Sequence, residues 1–184
     1  MSNSDRAQLV ILDRDGVLNE DSDAFIKTPD EWIPVPGSLQ AVARLNQAGY
    51  RVVVATNQSG VARGLLDLDM LAQIHEKMRQ LLLECGGHVD GIFFCPHGPE
   101  DGCRCRKPRP GLFEEIAARY DVDLKGVVAI GDSLRDLQAA VTAGASPVLV
   151  RTGKGERTLA NPALDAAIPV YADLAAAVDA LLAS

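Results

Sequence analysis

No apolar run among the 184 residues approaches the length that crosses a bilayer, and the N-terminus lacks a basic segment followed by a long apolar core. The expectation is a soluble, cytoplasmic protein. Positive charge is also in short supply, with 18 Lys and Arg against 25 Asp and Glu and a formal net charge of −7. That balance argues against general binding to nucleic acid or to an anionic membrane, because both need a basic surface. Cysteine is sparse, at four residues, and nothing in the sequence points to secretion. There is no internal repeat and no low-complexity segment apart from an Ala-rich last helix. The length is too small for two ordinary domains, whereas the 47% hydrophobic content is ample for one. One domain over residues 1–184 is expected.

What is present is an alternation of two periods. Short β-branched runs are predicted as strands at 10–12, 51–55, 89–94, 126–130, 148–150 and 168–170. Between them lie helical patterns around 39–45, from near Asp67 to Cys85, at 111–120, 133–143 and 173–182. Strictly alternating strands and helices are the signature of an α/β doubly wound parallel sheet.

Three of these strands end in residues suited to phosphate or metal. The first runs out into Asp13 and Asp15, the second into Thr56 and Asn57, and the fourth into Asp132. Each has an ordinary explanation: a polar turn closed by Gly16, a turn at Thr56, a helix start at Asp132. In a parallel sheet, however, all of them lie along one carboxyl edge, where such folds bind ligands. Lys107, in the loop before the 111–120 helix, can reach the same edge. Phosphoryl transfer to a carboxylate needs this set. A divalent cation must offset the repulsion between an aspartate and a dianionic phosphate, and a lysine and a hydroxyl stabilise the charge of the transition state. Asp136, one helical turn beyond Asp132, suits either a supporting place beside the metal or a solvated helix face.

Cys95, His97, Cys103 and Cys105 lie within eleven residues, a donor set suited to a closed tetrahedral zinc site with a structural role. A disulfide between Cys103 and Cys105 would close a strained ring. Cys85 falls on an apolar helix face and reads as core, and His75 and His88 read as structural or surface residues. Zinc would rigidify a Gly- and Pro-rich loop that carries Arg104, Arg106, Lys107 and Arg109, a run expected to act as an anion receptor.

Asp13-Arg-Asp-Gly-Val, the strand ending in Thr56-Asn57, Lys107-Pro108 and Gly131-Asp132-Ser-Leu-Arg-Asp136 together resemble the four motifs of the haloacid dehalogenase superfamily of phosphatases, in order, over residues 8–150. The resemblance implies a Rossmann-like sheet. It makes Asp13 the nucleophile, Asp15 the acid and base, and Thr56 and Lys107 the stabilisers of the phosphoryl group. Mg2+ would be held by Asp13, the carbonyl of Asp15, and Asp132. Many members carry a cap domain, but the intervals 16–51 and 56–107 leave no room for one, so an open site shaped by loops is expected. The zinc loop and Thr56-Asn-Gln-Ser-Gly60-Val-Ala-Arg63-Gly are similar to one small branch, which contains the D-glycero-D-manno-heptose 1,7-bisphosphate 7-phosphatases of lipopolysaccharide precursor synthesis and the histidinol-phosphate phosphatases. By that likeness Asp21, Asn57, Gln58, Ser59, Arg63 and Arg106 would contact a small sugar bisphosphate, and the chain would be a monomer. After the first motif, where the heptose enzymes often carry an Asp-His-Gly-Tyr-type segment, this chain has Asp21-Ser-Asp-Ala24. A phospho-accepting receiver domain and a zinc-binding adaptor are the non-enzymatic alternatives.

Overall fold

The computed structural model describes residues 8–184. Six parallel strands, β1 (Leu9–Leu12), β2 (Arg51–Asn57), β3 (Gly91–Cys95), β4 (Val128–Gly131), β5 (Ser146–Val150) and β6 (Val170–Tyr171), form one sheet in the order β3-β2-β1-β4-β5-β6. The helices are α1 (Ser38–Gln47), α2 (Leu68–Glu84), α3 (Gly111–Tyr120), α4 (Leu134–Ala143), α5 (Gly155–Leu159) and α6 (Leu174–Leu182).

Alternation along β1 explains the layering, because successive side chains of a strand point to opposite faces. Val10 and Leu12 join a core built with α1, α2 and α6, whereas Leu9 and Ile11 join one built with α3 and α4. Both faces of the sheet are therefore covered, and β1 is buried over its whole length. Asp67 and Asp173 cap α2 and α6 by accepting the amides of Met70 and Ala176.

The expected strands are all found, with their limits shifted by a few residues. Two short elements escaped the sequence pattern, a 3-10 turn at Pro29–Glu31 and the five-residue α5. The loop from Asn19 to Gly37 is fastened by Lys77 of α2, whose Nζ donates to the carbonyls of Pro29 (2.6 Å) and Trp32 (2.9 Å). Neither that loop nor the interval between β2 and Lys107 contains a cap domain.

Register then sets up the site. Leu12 pairs with Val54 on one side and Ile130 on the other, so β1 and β4 end within a residue of each other while β2 runs on to Asn57 beside β3. The chain order reverses between β1 and β4, and the crevice at such a reversal is where open α/β sheets bind ligands.

Candidate active site

Immediately beyond β1 the Asp13 amide donates to the Ile130 carbonyl (2.9 Å), which fixes its carboxylate at the crevice. Asp13 Oδ1 accepts from the Arg14 amide (2.8 Å) and from Lys107 Nζ (3.0 Å), whereas Oδ2 has no hydrogen-bond partner among the described residues. Lys107 is 2% exposed and also reaches the Ala55 carbonyl (2.7 Å) and Asp136 Oδ1 (2.6 Å). Asp13, Asp132 and Asp136 each bring one oxygen into a group spanning no more than 4.8 Å.

Two buried carboxylates and a half-buried one facing one lysine leave two negative charges without a partner in a poorly solvated site. Burial, then the neighbouring Asp136, pushes Asp13 up to about 7. Burial, Asp136 and Asp13 push Asp132 up to about 9. Burial acts against ionisation of Asp136 as well, but Lys107 and the Ser133 donors overcome it and hold that carboxyl below its ordinary range. Lys107 is likewise held charged by Asp13 and Asp136 against its burial. A hard divalent cation among these oxygens would balance the charge, so the donor set fits one.

The loop after β5 completes this floor. Lys154 donates its amide to Asp132 Oδ2 (2.7 Å), Thr158 its hydroxyl to the Asp132 carbonyl (2.7 Å), and Thr152 its hydroxyl to the Gly16 carbonyl (2.6 Å). Gly153 has φ +58°, and a methyl group there would run into the Asp132 carboxylate and Gly16 Cα, so a side chain is excluded on both counts.

Asp15 stands apart from the three-carboxylate group. Asp13 and Asp15 both line the cleft, although the chain between them is not an extended strand: it turns at Arg14, whose carbonyl accepts the Leu18 amide at 2.8 Å. Asp15 Oδ1 accepts from Arg14 Nε (3.2 Å), Arg14 Nη2 (2.8 Å) and Asn19 Nδ2 (2.9 Å), and Oδ2 accepts from Gln58 Nε2 (2.8 Å). Burial opposes ionisation, but Arg14 and these donors hold the carboxyl below its usual range. The Asp15 carbonyl has no donor among the described residues.

Thr56 is fully buried, its hydroxyl 2.9 Å from Gln58 Nε2. Asn57 grips the backbone of Lys107 from both sides, donating to its carbonyl (3.1 Å) and accepting its amide (3.0 Å). Asp21, Asn57, Gln58, Ser59, Arg63 and Arg106 all line the cleft above the acidic floor, together with Ser22, Phe25, Ser133, Arg135 and Lys154, which the motifs did not single out. Arg63 lies over the Phe25 ring (5.4 Å to its centroid), and Asp21 pairs with Lys154 (3.0 Å).

Cys95 Sγ lies 3.1 Å from Cys105 Sγ, 3.6 Å from Cys103 Sγ and 3.5 Å from His97 Nδ1. Four donors around tetrahedral zinc sit roughly 3.5–3.8 Å apart, given bonds of about 2.0–2.3 Å, so the cluster has the size for such an ion. The expected anion receptor is only half realised. Lys107 and Arg106 face the cleft, but Arg104 pairs with Glu114 (2.7 Å) and Arg109 donates to the Cys103 carbonyl. In a loop folded around its own ligands, neighbouring residues point in different directions.

A family profile of HAD-hydrolase-like proteins matches residues 104–177, and one described as polynucleotide kinase 3 phosphatase matches residues 8–139. The D-glycero-beta-D-manno-heptose-1,7-bisphosphate 7-phosphatase of Bordetella bronchiseptica is 63% identical over 95% of this chain and 98% of its own. The Pseudomonas aeruginosa enzyme of the same name is 56% identical over 95% and 97%. This chain belongs to the D-glycero-D-manno-heptose-1,7-bisphosphate 7-phosphatase family. The crystal structure of the D,D-heptose 1,7-bisphosphate phosphatase from B. bronchiseptica, complexed with magnesium and phosphate, superposes with a TM-score of 0.94 at 62% identity, covering 96% of this chain and 98% of that one. The corresponding phosphatase from Burkholderia thailandensis gives 0.77 at 45%, over 96% and 99%. The two solved heptose bisphosphatases thus share the fold described above.

Proposed function

We propose that this chain is a magnesium-dependent phosphomonoesterase that removes the 7-phosphate of D-glycero-β-D-manno-heptose 1,7-bisphosphate, leaving the 1-phosphate, in the synthesis of a lipopolysaccharide precursor. The observation that carries the reading is the buried group of Asp13, Asp132, Asp136 and Lys107, two charges short of neutrality, at the reversal of the sheet. Mg2+ would be held by Asp13, Asp132 and the carbonyl of Asp15, with Asp136 bracing Lys107. When bound, it supplies charge neutralisation for the phosphate and the attacking carboxylate.

Asp13 attacks phosphorus while the bond from phosphorus to O7 breaks, giving an aspartyl phosphate. Asp15 delivers its proton to O7. Held anionic at rest by Arg14, Asp15 gains proton affinity when a dianionic phosphate arrives beside it, because like charges favour the neutral form. In the second half the anionic Asp15 takes a proton from water as that water attacks phosphorus, and the bond to Asp13 breaks to release phosphate. Lys107 and the Thr56 hydroxyl steady the phosphoryl oxygens. Asp21, Gln58, Ser59, Arg63 and Arg106 orient the sugar and its second phosphate, and Asn57 fixes the backbone of Lys107.

Zn2+ at Cys95, His97, Cys103 and Cys105 is structural in this reading, since all four positions are protein donors. The enzyme is a single-domain cytoplasmic monomer; no helix among the described residues is long and apolar enough to cross a membrane. Phosphate release should be measured on both heptose bisphosphate anomers and on histidinol phosphate. Mg2+-dependent turnover of the β-bisphosphate that vanishes in Asp13→Asn is the expected result. Faster turnover of histidinol phosphate would overturn the substrate.

A further inference from the structure

Arg14 stands between the two aspartates in sequence and has no solvent exposure. A buried guanidinium is costly unless its donors are engaged, and here they are. Nε and Nη2 hold Asp15 Oδ1, and Nη1 lies 3.1 Å from Nε2 of His75, on α2 and 61 residues away. Arginine offers five donors and no acceptor. His75 Nε2 must therefore present its lone pair, which places the ring proton on Nδ1 and leaves the imidazole neutral. His75 is itself 6% exposed, its ring 6.1 Å from that of Phe94 on β3, so two packed elements fix it.

The consequence falls on Asp15. Its Oδ1 is saturated by three donors, and its Oδ2 meets, among the described residues, only the Gln58 amide, which lines the cleft. We propose that His75 and Arg14 are positioning residues that lock the Asp15 carboxylate so that Oδ2 is the atom that exchanges the proton with the ester oxygen and with water. This rests on the reading of Asp15 as acid and base. Neither residue touches substrate. His75 anchors the guanidinium, and the guanidinium sets the carboxylate plane.

The test uses the leaving group. An alkyl phosphate such as the heptose ester needs a proton on departure, whereas p-nitrophenyl phosphate does not, so a misplaced acid slows aspartyl-phosphate formation only from the former. His75→Leu removes the acceptor. It should lower kcat on the heptose bisphosphate roughly 10–100-fold, the scale of a misplaced catalytic group, with KM within about twofold. With p-nitrophenyl phosphate it should keep a near-normal first-turnover burst followed by slow steady-state release, because the water step still needs the base. His75→Gln, whose Oε1 can accept from Arg14, should restore kcat to within about threefold. If His75→Leu does not fold, Arg14→Lys, which keeps the charge but loses the two-pronged grip, carries the same comparison. Asp15→Asn serves as reference. If its first-turnover rate shows no leaving-group dependence, the role of Asp15 fails; if it shows that dependence and the first-turnover rates of the His75 and Arg14 variants fall equally on both esters or on neither, the positioning role is overturned.

Discussion

Replacing His75 with Gln should change how the protein responds to acid, by an amount the structure fixes. Burial first, then Arg14 and Arg79, push the imidazole down from 6.5 to about 3, with Asp15 opposing them. The unfolded chain therefore takes up a proton on this ring below pH 6.5, and the folded chain does not until about pH 3. More protons bound in the unfolded state means that stability rises with pH in this window and is lost on acidification. At about 1.36 kcal/mol per unit of separation, roughly one and a half units below the unfolded value, the loss at pH 5 is about 2 kcal/mol relative to pH 7.5. Gln carries no such proton, so the wild-type protein should lose about 2 kcal/mol more than His75→Gln between those pH values. The rest of the protein is common to both variants, so its response to pH cancels in the difference. Urea unfolding at fixed Mg2+ and Zn2+ measures it. With a slope near ~2 kcal/mol/M, the separation between the two midpoints should change by about 1 M. Midpoints that fall in parallel from pH 7.5 to pH 5 would mean that His75 is protonated in the folded state, and the neutral acceptor facing Arg14 would be refuted.

Asp132→Asn removes one of the crowded carboxylates, so in a chelator it should melt a few degrees above wild type, and added Mg2+ should no longer raise its Tm; a lower chelator Tm than wild type contradicts the repulsion. Asn57→Ala frees the backbone of Lys107 and should lower kcat about tenfold on both the sugar and the aryl ester with KM little changed. A KM rise confined to the sugar ester would instead put Asn57 against the substrate. Elemental analysis should find one zinc per chain, retained in Cys85→Ser and lost in Cys105→Ser, and zinc retained in the latter would remove Cys105 from the ligand set.

The parts of the site legible in the sequence share a property: each follows directly from where a strand ends. Asp13, Thr56 with Asn57, and Asp132 are carried by hydrophobic runs whose lengths and order give the register, and the cysteine cluster is local in sequence. What was not legible depends on contacts between distant segments. Thr152 meets Gly16 across 136 positions, and Gly153 is required by a carboxylate that approaches from another strand end. A Thr-Gly-Lys-Gly stretch after β5 carries no mark of either contact. Arg14 carries no mark in the sequence of its burial, which the fold alone brings about. A signal for His75 did exist: it sits four residues after Leu71 and three before Met78, a polar side chain at helical spacing from the apolar stripe of α2.

The shortage of positive charge across the chain sharpens what the cleft does with the little it has. Its floor is acidic and calls for a cation, while its walls carry Arg63, Arg106, Arg135 and Lys154. Lys154 is tied to Asp21, which leaves the three arginines on the cleft wall of a protein whose net charge is −7. A cleft of one sign with low-dielectric walls concentrates the opposite charge, and the acidic surface elsewhere turns anions away. In the proposed function a bisphosphate would gain from that contrast more than a monophosphate, because its second dianion would meet the arginine wall while the first lay over Asp13. Without a cap domain to close over the ester, selection in the proposed function would fall to this fixed pattern of charge, and the loop of the Cys/His cluster contributes to it by carrying both Arg106 and the buried Lys107.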